Sequence, residues 1–600
     1  MSKSIWIKRE EKPPGVADTS TIEELAKDFK CSETLIKLLA ARGYCDKDSI
    51  SGFLDPKLSL LHEDNAINIL PNIKDAVARL NDALAKKHKI IIYGDYDADG
   101  IISTAILYNF LKIAGFEIQH YIPDRFEDGY DINISFIKDV ALKGQHSLVI
   151  CVDCGTNAFE VREFIQGSNC GIDVIVCDHH EAAKQQASTG KKNTGKYIIV
   201  NPKLKSSNYP FKQLSGAGVV FKFIIAALRS FESNIKQRFG PDYLKELLDL
   251  VAIATIADIM PLTGENRVIV KAGLQILKNT RHTGLQKIIS SAFEQKKEKF
   301  NVYDIGFVIA PRLNASGRLR NAQKCISLLT CGDSEIKAAG QENPDEIVSD
   351  IEDFNKKRRA LQQEIFSQIC GSYDFDDIAG NKKIFIEYSD AWHEGVLGIV
   401  ASQIVKQFNI PAILFKDNDG ILKGSGRSIE GFDLHKSLQS CSHHFIKYGG
   451  HSLACGITMQ KDCFESFKAE ITDSNEQLKA LDTARKIYYD LEIGFKDIGL
   501  NLLDDLKKME PFGTGNEKPL FFTKNCNVIE QKLSNSSVHL FLKLQNAGNL
   551  ANAVFFNYTK IQALQECKDL TGKNIDILFY LAISPAGSLQ VIIQDIRASL

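Results

Sequence analysis

An apolar run, Ile90-Ile91-Ile92-Tyr93, breaks directly into Gly94-Asp95-Tyr96-Asp97-Ala98-Asp99-Gly100. Three carboxylates this close repel and raise one another's pKa, so they stay ionised together only beside cations or hydrogen-bond donors. A divalent metal is the simplest such partner; a solvated acidic turn after a strand is the bland alternative. The rest of the chain has to decide between them.

The flanking sequence sets the architecture. From Asn72 the apolar positions Ile73, Val77, Leu80 and Leu84 keep helical spacing ahead of the Ile90–Tyr93 strand, and Ile101–Leu111 is helical again. Strand Glu117–Ile122, a loop at Pro123-Asp124-Arg125, a helix at about 134–142, strand Leu148–Val152, a helix at about 157–166 and strand Asp173–Cys177 follow. This alternation predicts a mostly parallel sheet covered on both faces. In such a sheet the loops leaving the carboxyl ends of the strands gather on one edge, where ligands bind. Three of these ends carry acid: Asp95, Asp97 and Asp99; Asp153 in Val152-Asp153-Cys154-Gly155-Thr156; and Asp178-His179-His180. Asp258, ending the apolar stretch Val251–Ala257 before Pro261, is a fourth candidate. Six carboxylates and two imidazoles on one edge suit Mn²⁺ or Mg²⁺, with the imidazole tilting toward Mn²⁺. Two such cations are the usual machinery of phosphodiester hydrolysis.

Competing readings are weaker. Cys151 and Cys154 form a CxxC, but Cys151 lies within a strand and no second pair stands at zinc spacing. The His179-His180 pair, placed after an acid at a strand end, suits one ligand and one supporting or proton-transferring side chain. Further on, Gly424-Ser425-Gly426-Arg427-Ser428 offers backbone N–H groups, hydroxyls and a guanidinium for a phosphate, and Arg312 and Arg318 sit in what reads as a loop able to add contacts. A solvated turn with an exposed arginine is the alternative for each.

Composition bounds the rest. The 600 residues are 44% hydrophobic and 25% charged with 14 cysteines, enough for roughly three to five globular domains with reduced, mostly buried thiols. Net charge is −2, so any basic surface is local. The polar stretch before Thr19 and the lack of apolar runs of about 18 residues predict a cytoplasmic protein without a membrane segment. Ser20-Thr21-Ile22-Glu23 reads as a capping box opening a helix to about Ala41. Asp345 to about Ile369 reads as one long helix, whose Lys356-Lys357-Arg358-Arg359 turn suits a nucleic-acid groove. Beyond residue 480 short strands interrupted by a helix at Leu502–Met509 suit a small barrel, with Phe555 and Phe556 as stacking or core residues.

Taken in order, Gly94–Gly100, Pro123–Arg125, Val152–Thr156 and Asp178–His180 resemble the motifs of the DHH phosphoesterase superfamily. The likeness is greatest to its RecJ branch of single-strand-specific DNA exonucleases. It extends through Ala254–Asp258, Pro311–Arg318, Gly424–Ser428, Gly449–Gly456 and Pro511–Asn516, and covers about residues 50–600. The resemblance implies an α/β fold: a lead-in (1–70), a parallel-sheet DHH domain (71–290), a linker with a long connecting helix (291–372), a smaller α/β DHH-associated domain (373–475) that closes over the metal site, and a C-terminal OB-fold barrel (480–600). It implies Asp97, Asp99, Asp153, His179 and Asp258 as ligands of two Mn²⁺ or Mg²⁺ ions, with Asp153 bridging. Asp95, Asp178 and His180 stand at supporting positions, with Asp95, Asp153, His180 and His451 the catalytic candidates. Tyr93 stands where some members have His. Ser425, Arg427 and one of Arg312 or Arg318 are implied holders of a 5′ phosphate, and Gly450 and His451 reach the scissile nucleotide.

The expectation is a 5′ to 3′ exonuclease on single-stranded DNA that releases mononucleotides and serves repair and recombination. It would act as a monomer, with a single-strand-binding protein and a helicase as candidate partners. A small-nucleotide phosphodiesterase of the same superfamily and a non-catalytic nucleic-acid-binding scaffold are the alternatives. The additional barrel argues against the first, and the complete acidic and histidine set against the second.

Overall fold

The computed structural model describes residues 4–10, 18–63, 67–124, 131–183, 196–318, 322–330, 343–381, 383–473, 476–558, 569–584 and 586–599. The chain forms two compact units, neither continuous in sequence: residues 51–358 with 510–517, and residues 1–50 with 359–509 and 518–600.

In chain order the strands are β1 (Ile5–Lys8), β2 (Ile90–Gly94), β3 (Ile118–Tyr121), β4 (Leu148–Val152), β5 (Asp173–Cys177) and β6 (Tyr197–Val200). The last five form one parallel sheet of order β3-β2-β4-β5-β6. Their unbroken apolar runs follow from burial on both faces. Ile90, Ile92, Ile150, Val152, Ile175 and Cys177 face one core, packed under helices Ile73–Ala85, Ala98–Ala114, Gly216–Ser230 and Leu248–Ala257. The alternate residues Ile91, Tyr93, Val149, Cys151, Val174 and Val176 face the other, with helix Phe159–Gly167. The chain turns outward from β2 in opposite directions to reach β3 and β4, so the crevice of a doubly wound sheet opens beside the carboxyl ends of β2 and β4. Strand β6 lies beyond the alternation read from the sequence, which ends at β5.

One buried ion pair braces this unit. Lys222, wholly buried in helix Gly216–Ser230, places Nζ 2.5 Å from Glu265 and donates to the Leu61 carbonyl at 2.8 Å, while the Tyr209 hydroxyl donates to the other Glu265 oxygen at 2.7 Å. Segment 510–517 belongs here as well. The Leu262 amide donates to the Thr514 carbonyl and Arg267 donates to the Glu510 carbonyl, at 2.7 and 3.0 Å.

The other unit contains β7 (Phe385–Ser389), β8 (Ala412–Asn418), β9 (Ile421–Arg427), β10 (Phe445–His451) and β11 (Ala454–Gln460), in the order β10-β11-β9-β8-β7. Only β7 and β8 are parallel neighbours. The turn that is the alternative reading at Gly424–Ser428 is largely strand, with Gly424–Arg427 in β9, and Gly449–His451 lies in β10. Next come β12 (Lys486–Tyr489), β13 (Leu491–Glu492), β14 (Phe521–Leu533), β15 (Leu540–Asn546), β16 (Asn549–Phe555), β17 (Asn574–Ile583) and β18 (Leu589–Ala598). Strands β14, β15, β16, β18 and β17 close into a five-stranded barrel through the β14–β17 pairing. Phe555 is buried in it, and Phe556 is exposed, edge-on to His539.

The described residues before Ser51 pack with this barrel unit. Strand β1 pairs in parallel with β12, Trp6 donates to Asp595 at 2.8 Å, and the Ser32 amide donates to Asp505 at 2.7 Å. The single helix expected to Ala41 is two, Thr19–Asp28 and Glu33–Ala41. Asp18 caps the first, accepting from the Thr21 amide, and Ser32 caps the second. The long helix runs Pro344–Ser372, carrying the chain from one unit to the other, and within it Arg358 is buried and donates to Asn355.

Truncating Lys222 to Ala would leave Glu265 charged and buried without its cation. The expected loss is about 3–5 kcal/mol, read as a lowered urea midpoint of the transition reported by this unit; Lys222→Arg should lose less.

Candidate metal centre and phosphate site

The acidic turn is built by the backbone that follows β2. Asp97 caps helix Ala98–Ala114, one carboxylate oxygen accepting from the Asp99 and Gly100 amides at 2.9 and 3.1 Å. Asp99 then points to the N-terminus of helix Gly216–Ser230, its oxygens accepting from the Gly216 and Ala217 amides at 2.7 and 2.8 Å. Oriented amides at a helix start are a ready partner for a carboxylate. Asp153 follows β4 at φ +62°, a left-handed conformation that costs an L-residue energy and turns its side chain out of the strand line. A Cβ on Gly216 would lie 2.5 Å from an Asp153 oxygen, and one on Gly317 would lie 2.1 Å from the Tyr96 carbonyl, so both positions need glycine.

These pieces meet. Candidate ligand atoms of Asp95, Asp97 and Asp153 lie within 4.8 Å of one another, as do those of Asp99, His179 and Asp258. His179 Nε2 joins the two groups, at 3.1 Å from Asp153, 3.5 Å from Asp258 and 3.9 Å from Asp99. Asp258 sits at the carboxyl end of helix Leu248–Ala257. Asp95, given a supporting place by resemblance, stands among the donors. Asp178 lies deeper: one oxygen accepts from the amides of His179 and His180 and from His180 Nδ1 at 2.8 Å, the other from the Thr156 amide.

The electrostatics carry the mark of crowding. Burial, then the charge of Asp97, raises Asp99 to about 7. Burial and the charges of Asp99 and Asp97 raise Asp258 to about 8 and push Asp153 well above the usual carboxylate range. Burial and the neighbouring His180 lower His179 to about 3, keeping it neutral as a ligand must be. For His180 burial is outweighed by the hydrogen bond and charge of Asp178, which raise it to about 9, while Asp178 itself is held below the usual range despite its burial. Asp153 Oδ1 and Asp258 Oδ2 are buried and accept no hydrogen bond. Hard oxygen donors with one neutral imidazole, two of those oxygens unsatisfied, fit Mn²⁺ or Mg²⁺.

Residues beyond those singled out in the sequence also hold the site. Asn314 accepts from the Ala98 amide at 2.8 Å, and Asn201 bridges the Thr156 hydroxyl and the His180 carbonyl at 2.9 Å each. Recognising β6 would have led to Asn201, which follows its carboxyl end. Pro311–Arg318 is helical, in Ala310–Arg318, and packs against the acidic turn. Arg312 is buried in it, donating to Glu352 and the Val308 carbonyl at 2.6 Å each, so the stretch read as a loop holds this guanidinium in a helix against internal partners. Arg318 is half-buried at the helix end. Tyr93 donates to the Asp131 carbonyl at 3.1 Å from within the core. Cys151 and Cys154 are buried free thiols. Arg125 lies outside the described residues.

A second cluster occupies the other unit. On β9, Ser425 and Arg427 face the start of helix Leu397–Phe408, where a Cβ on Gly398 would lie 2.8 Å from the Arg427 guanidinium and 2.9 Å from Ser425 Oγ. Arg427 donates to Ser425 Oγ at 3.0 Å and to the Gly426 carbonyl at 2.8 Å. Register places Arg427, Ala454 and His451 in one row across β9, β11 and β10. Gly450 takes φ +136°, where a Cβ would meet the Ala454 carbonyl at 2.3 Å, and His451 Nδ1 accepts from the Leu453 amide. A guanidinium, a hydroxyl and a helix N-terminus together make an anion site.

Known proteins share this arrangement. The family model described as DHH family, N-terminal domain matches residues 89–255, the DHHA1 domain 381–477 and the RecJ OB domain 489–595. The RecJ single-stranded-DNA-specific exonuclease of Haemophilus influenzae is 32% identical over 511 residues, 82% of this chain and 84% of the relative. This chain belongs to the RecJ family. Its relative in Bacillus subtilis is 32% identical over 550 residues, and the chain spans 65% of that protein's length. The crystal structure of Thermus thermophilus RecJ with Mn²⁺ has a TM-score of 0.77 at 26% identity, covering 99% of this chain and 80% of that one. Another RecJ structure, bound to manganese, is 30% identical with a TM-score of 0.56, covering 69% of this chain and 98% of that one.

The raised pKa values fix a pH dependence for the metal-free protein. Between pH 6.5 and 8 the folded state holds protons on Asp99, Asp258 and His180 that the unfolded state has released. Stability therefore falls as pH rises across this window. The expected observation is a melting midpoint that drops from pH 6.5 to pH 8 in EDTA. Saturating Mn²⁺ should remove most of the slope, because the ion favours the same carboxylates ionised.

Proposed function

We propose that this chain is a metal-dependent exonuclease that removes mononucleotides from single-stranded DNA in the 5′ to 3′ direction. The observation that carries the reading is the convergence of Asp95, Asp97, Asp99, Asp153, His179 and Asp258 at one sheet edge, in a member of a family whose named relatives are single-stranded-DNA-specific exonucleases.

Asp97, Asp99, Asp153, His179 and Asp258 are the proposed ligands of two divalent cations, with Asp153, close to both donor groups, as the bridge, and Asp95 beside them. Bound there, the ions supply charge neutralisation at the scissile phosphate and make water a better nucleophile. The remaining steps belong to the protein. Asp178 fixes the His180 ring through Nδ1 and keeps it protonated at neutral pH, so the partly exposed side chain is the proposed source of a proton for a phosphate or leaving oxygen. Asn201 holds the His180 backbone while this proton moves. In the other unit, Ser425 and Arg427 form the proposed grip on the terminal 5′ phosphate; within the first unit, one of Arg312 or Arg318 is a proposed contact to the strand. Gly450 leaves the backbone close and bare beside His451, which donates to a phosphate oxygen. The polarity rests on this grip. The barrel is the proposed hold on the trailing strand. Action as a monomer in repair and recombination, recruited by a single-strand-binding protein or a helicase, extends the same reading.

The test is digestion of 5′-labelled and 3′-labelled single strands and a blunt duplex with Mn²⁺, Mg²⁺ or EDTA. Immediate release of labelled mononucleotide from the 5′ end, a spared duplex and silence in EDTA are expected. Cleavage confined to di- and trinucleotides would replace the reading with a small-substrate phosphodiesterase. Asp153→Ala should cut turnover by more than about 100-fold while strand binding persists, and retained turnover would remove Asp153 from the mechanism. Arg427→Ala should raise KM for 5′-phosphorylated strands by more than for 5′-hydroxyl strands; equal effects on both would deny it the terminal phosphate.

A further inference from the structure

Among the described residues, one group of candidate ligands lies outside the DHH centre: His443, His444 and Glu470. A short turn, Ser442–His444, joins helix Leu434–Ser440 to the start of β10, and Glu470 reaches it from helix Phe464–Asp473. His443 Nε2 lies 3.2 Å and His444 Nε2 2.8 Å from the same Glu470 oxygen, and the two rings stand 4.1 Å apart at 38°. Three potential donor atoms therefore converge within ligand distance of one another.

We propose that His443, His444 and Glu470 form a second metal site, for Zn²⁺ or a cation of similar borderline softness. Two imidazole nitrogens and one carboxylate oxygen are the three protein ligands of a zinc site with an open position. The donor set differs in kind from the oxygen-rich centre and disfavours Mg²⁺ and Mn²⁺. Access is direct, because the His443 side chain is 62% exposed and that of Glu470 32%. Cys441, buried at the end of the preceding helix, interacts with the same carboxylate, so a thiol stands beside the ligands. An ion here would tie the entrance of β10 to helix Phe464–Asp473.

The experiment is equilibrium dialysis of the full chain against Zn²⁺, counting bound metal in wild type, His443→Ala and Glu470→Gln. Each variant should bind one ion fewer per chain while Mn²⁺-supported strand hydrolysis keeps its rate. Co²⁺ gives a second readout: wild type should show strong visible absorption from a four-coordinate site, which both variants lack, since six-coordinate oxygen-rich sites absorb weakly. Equal zinc counts and superimposable cobalt spectra in the three proteins would overturn the proposal.

Discussion

Mutual repulsion among carboxylates at the edge of one parallel sheet is the constraint to which the rest of the DHH unit answers. Burying several like charges together is costly unless each finds a compensating dipole, proton or cation. The fold supplies the first kind: Asp99 rests on two amides at a helix start, and Asp97 caps the helix that follows it. Asp178 and His180 compensate each other. Asp153 and Asp258 keep buried oxygens that accept no hydrogen bond, so a divalent ion is the remaining partner.

Holding acids this close also dictates where side chains are forbidden. Gly100, Gly216 and Gly317 each bring backbone against the acidic turn or Asp153 at distances that admit no Cβ. They come from three elements far apart in sequence, so the turn is gripped from several sides. The same economy recurs in the other unit, where Gly398 lets a helix start approach Ser425 and Arg427, and Gly450 bends β10 beside His451.

The metal edge was legible because its signals are local and strong. Unbroken apolar runs fixed β2, β4 and β5, and parallel strands put the residues after them together. What the sequence hid has physical reasons too. Glycine-rich β9 and β10 do not announce themselves as strands, because strand formation there depends on neighbours in the sheet rather than on side-chain propensity. Pro311–Arg318 read as a loop through its Asn and Gly, although tertiary packing against the acidic turn makes it a helix and draws Arg312 into a pair with Glu352. The pairing of β1 with β12 is invisible to any local pattern, since nearly five hundred residues separate the partners.

The discontinuity of the two units bears on how the molecule is made. Synthesis delivers residues 51–358 early, yet the segment that covers Pro261 and Leu262 and accepts from Arg267 is 510–517. Strand β1 likewise waits for β12 to emerge from the ribosome. Neither unit can be finished as an independent bead on the growing chain. The unit that carries the acidic edge is complete only once residues 510–517 have been made.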